Sequence, residues 1–454
     1  MQKTIKRSCW WLLIALSTAA CQDHWLEIKS DKQLVIPTSL KDLQALLDNT
    51  SEMNFSTTPS LGEVGTTDYY LADEDWQALS SEEQRNAYRW DKTIFAGESC
   101  FSWNYPYKSI LNANLALEGL ARITQDTGNE DAWNNIRGSA LFYRSWAFFQ
   151  LAQVFCKPYA KATALSDLGI PLRLESDINI RSERATVQRT YDQIIADVWK
   201  AVEVLPDEPL VQTRPGKAAG YALLAKAYLH MNNYDSALST ATQCLRIANQ
   251  LMDYNQLDSA ADYPFAQMNE EVIFLATMSP LSALFRVMHV DAELYGKYAP
   301  GDLRKALFYQ KDEGRVSFKG TYDGSIRLFS GLAVDEVMLL KAEAEARLGA
   351  LDDAMNTLNT LLITRWESGT YEPLTAESET QAQQLIMEER HKSLPYRGIR
   401  WMDLRRIANE PALAVTLHRQ LEGQMYTLEP GDPRYVLPIP DEVIELSGMP
   451  QNPR

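Results

Sequence analysis

The sequence predicts a mostly helical protein in which paired helices form a scaffold beside an irregular, loop-rich region. Two observations carry this prediction. Segments 215–250 and 334–365 each contain two amphipathic patterns of helical period joined by a short turn. Residues 62–107, in contrast, are rich in aromatic side chains and glycine but show no regular period. We therefore expect a helical body that carries one long excursion with short helices.

The chain begins with features typical of a bacterial lipoprotein signal, predicted over residues 1–20. Basic residues precede a short apolar run, and small residues then lead to Cys21. The run is shorter than the roughly 20 residues that span a bilayer. We expect cleavage before Cys21, lipid on its thiol and an anchored chain over 21–454. A plain secretory signal is the alternative, because Thr18 stands where a large apolar residue is usual.

Composition excludes several classes of partner and site. The 454 residues carry a formal net charge of −16, which argues against nucleic acid because phosphates require a basic surface. After removal of the signal and lipidation, Cys100, Cys156 and Cys244 remain at wide spacing without a CxxC. This spacing indicates neither a zinc site nor a disulfide framework. We expect Cys156 and Cys244 to be small buried residues.

The helices follow from apolar spacing and capping residues. Thr38 or Ser39 can cap a first helix that contains Leu43 and Leu47. Pro206 should end the helix predicted at 190–205. The tail at 435–440 should be extended and pack on the body. Further helices and a strand-like run are predicted at these positions: helices at 107–123, 132–155, 190–205 and 382–409, an extended loop at 169–172, and the strand-like run at 272–276.

The segment 215–250 matches the tetratricopeptide helix pair at most signature positions. Pro215 suits a first helical turn, and Asn232 with Asn233 forms the turn between the helices. Small side chains at Ala225 and Ala237 let the two helices approach closely. Equivalent alanines recur in the pair at 334–365, and the helices near 132–205 are interpreted as another pair with an inserted loop. The pairs form a discontinuous scaffold because other structure separates them.

Motifs for catalysis, cofactors and metals are missing from the sequence. There is no HExxH, GxSxG, GxGxxG or phosphate-binding loop, so we expect no cofactor, no metal and no enzyme activity. Acidic pairs such as Glu388-Glu389 arise by chance among 60 acidic residues, although a glycosidase stays the alternative. In the charged string 400–406, Trp401 and Leu404 should face the core while Asp403 pairs with an arginine. His230 is interpreted as structural.

Taken in order, several segments resemble the SusD/RagB family of outer-membrane nutrient-binding lipoproteins. The resemblance covers nearly the whole chain. It rests on the order and spacing of the following segments: Cys21, Trp25-Leu26, 36–38, 43–49, 103–114, 137–159, 169–172, the helix pair at 215–250, the late motif from Glu389-Arg390 to Arg406, 437–440 and 451–453.

The resemblance implies a SusD-like fold and a binding function without catalysis. Such proteins sit at the outer membrane, facing the cell exterior, as a lid on a SusC-like TonB-dependent transporter, to which they deliver oligosaccharides or, in some members, peptides. A RagB-like peptide-binding member and a lipid-anchored tetratricopeptide adaptor without a small ligand are the alternatives. In the family, ligand-contacting rings tend to come from two stretches. The matching rings here, for each of which core packing is the alternative, are Tyr69, Tyr70, Trp76, Trp103, Tyr295, Tyr298 and Tyr322.

Overall fold

The computed structural model describes residues 38–285, 287–312 and 314–454. The chain divides into two units, Met1–Thr38 and Ser39–Arg454, and all described residues except Thr38 belong to the second. The predicted signal and the lipidation of Cys21 lie outside the described residues. Within the described part of the chain, no helix has both the length and the apolar character needed to cross a bilayer.

Helices make up the larger part of the regular structure. In chain order they are α1 Leu40–Leu47, α2 Thr50–Met53, α3 Leu61–Val64, α4 Asp73–Gln77, α5 Glu82–Tyr88, α6 Phe101–Leu120, α7 Glu130–Phe155, α8 Val187–Val204, α9 Lys217–His230, α10 Tyr234–Ile247, α11 Ser282–Phe285, α12 Ala292–Gly296, α13 Arg304–Phe308, α14 Val334–Arg347, α15 Leu351–Leu362, α16 Glu379–Ser393, α17 Ile399–Arg406 and α18 Asp441–Ser447. Short 3₁₀ turns occur at 254–256, 363–365 and 433–435.

The strands are short and form small antiparallel pairs. They are β1 Tyr69–Tyr70, β2 Leu168–Pro171, β3 Arg184–Thr186, β4 Val272–Phe274, β5 His289–Val290, β6 Tyr309–Asp312, β7 Arg315–Phe318, β8 Leu332–Ala333, β9 Leu417–Leu421 and β10 Gln424–Leu428. The pairs are β1 with β5, β2 with β3, β4 with β8, β6 with β7 and β9 with β10. The predicted fold class, mostly helical with a loop-rich region, is confirmed.

Helix pairs build the core. The packed pairs are α6 with α7, α7 with α8, α9 with α10, and α14 with α15, and α10 also packs on α14. Helix α7 is buried on all sides from residue 138 to residue 155, as expected of a helix that is apolar all round. Ala225 and Ala237 are completely buried between α9 and its neighbours. A Cβ at Gly220 would lie 2.5 Å from Val202, so α9 and α8 approach closely at this point.

Several predicted elements have the expected caps and packing. Ser39 caps α1 and forms a capping box with Asp42. The tail packs on the body, since the Leu437 N–H donates to the Val154 carbonyl over 3.0 Å. Cys156 and Cys244 are buried free thiols, as predicted.

The charged string that forms α17 has the predicted structural role. Trp401 and Leu404 are buried, and Asp403 pairs with Arg390 and Arg406 over 3.1 and 2.8 Å. His230 is buried and meets the Phe149 ring edge-on, which agrees with its structural interpretation.

Other boundaries differ from the prediction. Helix α6 begins at Phe101, six residues before the predicted start, and contains Pro106 in its interior. Pro215 precedes the helix that it was predicted to open, because Gly216 is the N-cap of α9. The predicted helix 382–409 is two helices, separated at Gly398, which has a φ of +76°. The β9–β10 hairpin was not predicted.

Candidate ligand-binding site

A polar cleft of about 580 Å³ opens between the β1–β5 pair, α12, the start of α17 and the β9–β10 hairpin. We call it the Tyr70 cleft. The side chains that line it and carry the argument below are Asp68, Tyr70, His391, Arg400, Arg419 and Glu422. These elements come from five separate parts of the chain, so the cleft exists only in the folded protein.

The pairing of β1 with β5 stacks the His289 ring on Tyr70, which lines the cleft. Tyr70 lies opposite His289 and Tyr69 lies opposite Val290. Because successive side chains of a strand point to opposite faces, Tyr69 is buried while Tyr70 is 48% exposed. The Tyr70 and His289 rings stack with centroids 5.0 Å apart and an interplanar angle of 24°. Burial and the nearby Arg315 lower the pKa of His289, which favours its neutral form.

Asp68 holds the base of the cleft together. Its Oδ1 lies 2.8 Å from His391 Nε2 and 3.9 Å from Arg400 Nε. Its backbone carbonyl accepts from the Tyr396 hydroxyl over 2.8 Å. Burial favours a higher pKa for Asp68, but His391, Arg400 and Lys297 outweigh it, so the pKa is lowered. A charged Asp68 carboxylate therefore lies beside the cleft.

Glu63 supports this base from the core side. Its Oε2 accepts from the Gly398 N–H over 2.9 Å, at the turn where α17 begins. Burial and the nearby Asp68 charge raise the pKa of Glu63 to about 8. The Glu63 carboxyl is therefore mostly protonated at neutral pH.

Arg419 forms part of the cleft wall. Its guanidinium lies 3.6 Å from the centroid of the Tyr88 ring and 4.8 Å from that of Trp90. It donates to the backbone carbonyls of Tyr88 and Thr66. Through these contacts Arg419 fixes the β9–β10 hairpin to the end of α5 and to the segment that precedes β1.

The structure brings only part of the predicted ring set into one place. Tyr69 and Tyr70 line the Tyr70 cleft, and Tyr70 offers its ring to solvent. Trp103 lines a separate pocket of about 280 Å³, where it packs against Tyr107 and Phe155. A ligand role for each of these rings stays a prediction.

The other predicted rings have partners inside the protein. Trp76 is buried and its Nε1 donates to the Arg85 carbonyl over 3.2 Å. Tyr295 is half-buried and lies beneath the Lys305 ammonium.

Tyr298 and Tyr322 are buried, and their hydroxyls bond to neighbouring side chains. The Tyr298 hydroxyl lies 2.9 Å from that of Tyr309, and the Tyr322 hydroxyl donates to Glu271 over 3.0 Å. Their contribution to ligand binding also stays a prediction, and their positions favour the alternative of core packing.

Sequence reasoning missed several residues of the Tyr70 cleft. Asp68 and Arg419, which line the cleft, and His289, which stacks on Tyr70, belong to no motif, and each is far along the chain from at least one of its partners. The one available signal was the doubled tyrosine at 69–70 within an irregular region, and it identified the exposed ring.

Comparison with known proteins connects this fold to a family. Residues 24–229 match the SusD-like_3 model, described as "Starch-binding associating with outer membrane", and residues 335–454 match the SusD_RagB model, described as "SusD family". A SusD-like protein P2 from Formosa agariphila is 31% identical over 140 residues. That alignment covers 31% of this chain and spans about a quarter, 25%, of the relative's length.

Solved structures show the same fold over nearly the whole chain. A SusD superfamily protein from Bacteroides thetaiotaomicron is similar with a TM-score of 0.75 at 22% identity, covering 92% of this chain and 100% of that one. A laminarin-binding SusD-like protein has a TM-score of 0.64 at 17% identity, covering 90% of this chain and 97% of that one.

The two family matches together cover more than two thirds of the chain, and the chain belongs to the SusD/RagB family. Its family and fold are those of SusD binding proteins, which are not enzymes.

Proposed function

We propose that the protein is a lipid-anchored outer-membrane surface protein that binds an oligosaccharide in the Tyr70 cleft and delivers it to a SusC-like TonB-dependent transporter. The observation that carries the binding part is the exposed Tyr70 ring, stacked on His289 and bordered by charged side chains. An aromatic face accepts the apolar face of a sugar ring, while polar groups around it fix the hydroxyls.

The charges around the Tyr70 cleft favour a neutral sugar. Four carboxylates line it in addition to Asp68, and together the five outnumber the lining cations Lys297, Arg400 and Arg419. The four are Asp73, Asp291, Glu293 and Glu422. Carboxylate oxygens accept hydrogen bonds from sugar hydroxyls but repel an anionic ligand. The laminarin-binding neighbour supports a glycan in general terms, since it shares the fold.

The test is calorimetric titration of the purified protein with neutral oligosaccharides, including laminarin- and starch-derived fragments. Tyr70→Ala should weaken binding by about three- to tenfold, the value expected for one aromatic contact, without lowering thermal stability because the ring is exposed. Tyr263→Ala, which removes another exposed tyrosine ring outside the cleft, is the matched control.

The same titration, repeated with peptides as ligands, distinguishes the alternatives. Binding of peptides but not sugars would assign the protein to a peptide-binding function. A folded protein that binds neither would favour the adaptor function. Sugar binding unaffected by Tyr70→Ala would contradict the Tyr70 cleft as the site.

A further inference from the structure

A second, larger cavity of about 890 Å³ lies away from the Tyr70 cleft and shares no lining residue with it. We call it the Arg405 cavity. Its walls come from segment 157–168 after α7, the end of α17, segment 431–436 and residues 452–453. These segments take no part in the Tyr70 cleft, and no sequence motif gives them a binding function.

Arg405 lines this cavity as a buried cation without an acidic partner. It is 4% exposed, and one of its terminal nitrogens donates to the Cys156 carbonyl. Its Nε has no hydrogen-bond partner, and no carboxylate among the described residues pairs with it. The next residue, Arg406, is bonded to both Glu343 and Asp403. The two neighbouring arginines therefore differ in whether the protein itself neutralises them.

A buried charge without a counter-charge is unfavourable. Burial of a guanidinium removes its hydration, and proteins normally compensate by an ion pair. For Arg405 this cost lowers the pKa to about 10, whereas the paired Arg406 has a raised pKa. An anion placed against Arg405 would supply the missing compensation.

Tyr435 provides a second donor on the wall of the Arg405 cavity. Its ring is buried and packs on Trp401 with centroids 4.8 Å apart. Its hydroxyl has no hydrogen-bond partner within the described chain. Most buried polar groups are hydrogen-bonded, so Arg405 and Tyr435 are two exceptions among the residues that line this cavity.

The acidic side chains of the cavity are already neutralised. Each of them forms an ion pair with a lysine or an arginine. Asp167 pairs with Lys157 over 2.7 Å. Glu410 pairs with Arg347 over 2.6 Å, and Asp432 pairs with Arg434 over 2.8 Å. Lys161 adds an exposed positive charge to the lining. Arg405 and Lys161 are therefore the two lining charges that have no ion pair within the described part of the chain.

We propose that the Arg405 cavity is a second ligand site, for a small molecule that carries an oxyanion. The oxyanion accepts hydrogen bonds from Arg405 and Tyr435 and lies near Lys161. The half-buried rings of Tyr159 and Tyr234 also line the cavity and offer apolar faces to the rest of the molecule. This chemistry fits a carboxylated, sulfated or phosphorylated sugar, and its oxyanion part alone fits inorganic phosphate or sulfate.

The experiment is calorimetric titration of the purified protein with glucuronate, glucose 6-phosphate, glucose, inorganic phosphate and inorganic sulfate. The two anionic sugars, glucuronate and glucose 6-phosphate, should bind and glucose should not. Equal affinity for inorganic phosphate would support the oxyanion site and identify the free ion as its ligand. Tighter binding of the sugar acids would support a sugar ligand. Absence of binding by every oxyanion up to about 10 mM would overturn the proposal.

Variants locate the binding to this cavity. Arg405→Gln should reduce oxyanion affinity by about tenfold or more, because a charge-assisted hydrogen bond is lost. Tyr435→Phe should reduce it several-fold without loss of thermal stability, since the hydroxyl bonds nothing in the protein. If Arg405→Gln does not fold, Tyr435→Phe therefore provides the test of the oxyanion site.

Two controls complete the design. Lys161→Gln should weaken binding more than Lys200→Gln, which removes the same charge from the exposed face of α8. Tyr70→Ala should leave oxyanion binding unchanged, because the two sites share no residue. Oxyanion binding that survives both Arg405→Gln and Tyr435→Phe would place the anion elsewhere and refute the site.

Discussion

Replacing Glu63 with glutamine should make the stability of the protein less dependent on pH. Glu63 is 1% exposed, and its pKa of about 8 results first from burial and second from the nearby Asp68 charge. In the unfolded chain the same carboxyl has an ordinary pKa of 4.5. The folded state therefore binds a proton more tightly than the unfolded state. Glutamine keeps an oxygen that can accept from the Gly398 N–H but does not ionise.

The size of the effect follows from the two pKa values. The contribution of Glu63 is fully present below pH 4.5 and is lost as the pH rises through 8. At about 1.36 kcal/mol per pKa unit, the loss between pH 5 and pH 9 is about 4 kcal/mol. From pH 5 to pH 9, the unfolding free energy of the wild-type protein should fall by this amount relative to that of Glu63→Gln.

The assay is urea unfolding of both proteins at unit steps from pH 5 to pH 9. The difference in unfolding free energy between them is the quantity of interest, because titrating groups other than Glu63 and its neighbour Asp68 contribute equally to both. Glu203→Gln makes the same chemical change at an exposed side chain of α8 and should leave the pH profile unchanged. A wild-type minus Glu63→Gln difference that stays constant from pH 5 to pH 9 would refute the reasoning.

Three further predictions test the packing, the buried charges and the anchor. Ala225→Leu should lower the unfolding free energy by about 1–3 kcal/mol through overpacking, while Ala412→Leu at an exposed site should not; equal thermal unfolding of the two would contradict the close helix approach. Arg365→Met should cost about 3–5 kcal/mol, because Glu271 loses its two-point ion pair while buried, and an unchanged denaturation midpoint would be inconsistent with this. Cys21→Ala should release the protein from membrane fractions, and its retention there would disprove lipid anchoring at this residue.

The helical scaffold could be predicted because its signal is local. The continuous apolar character of α9, the apolar period of α10 and the alanines that let the two helices approach lie within a few turns of each other in the sequence. Boundaries were less accurate where packing outweighs propensity. The prediction placed the start of α6 at residue 107, but the helix begins at Phe101, and Trp103 and Pro106 in its first turns are buried against the core.

The Tyr70 cleft could be predicted only in part, because its contacts join residues that are far apart in the sequence. Tyr70 was identified from its place in an aromatic-rich segment. Its partner His289 lies on a two-residue strand that has no periodic signal of its own, and their stacking follows from the β1–β5 register. Several other predicted rings are buried. They were predicted as ligand-contacting rings because composition does not distinguish a ring that fills the core from one that faces solvent.

The two sites differ in the balance of the charges that line them, and this difference has a consequence for ligand selection. In the Tyr70 cleft five carboxylates, Asp73 and Glu422 among them, outnumber three lysine and arginine side chains, whereas Arg405 lines its own cavity without a carboxylate partner among the described residues. A neutral oligosaccharide suits the first site and an oxyanion suits the second. A glycan that carries both neutral and acidic sugars could use both sites only if it spans them, so mixed fragments of increasing length should show a sharp gain in affinity at the spanning length. A steady affinity across that length series would mean that the sites act on separate ligands.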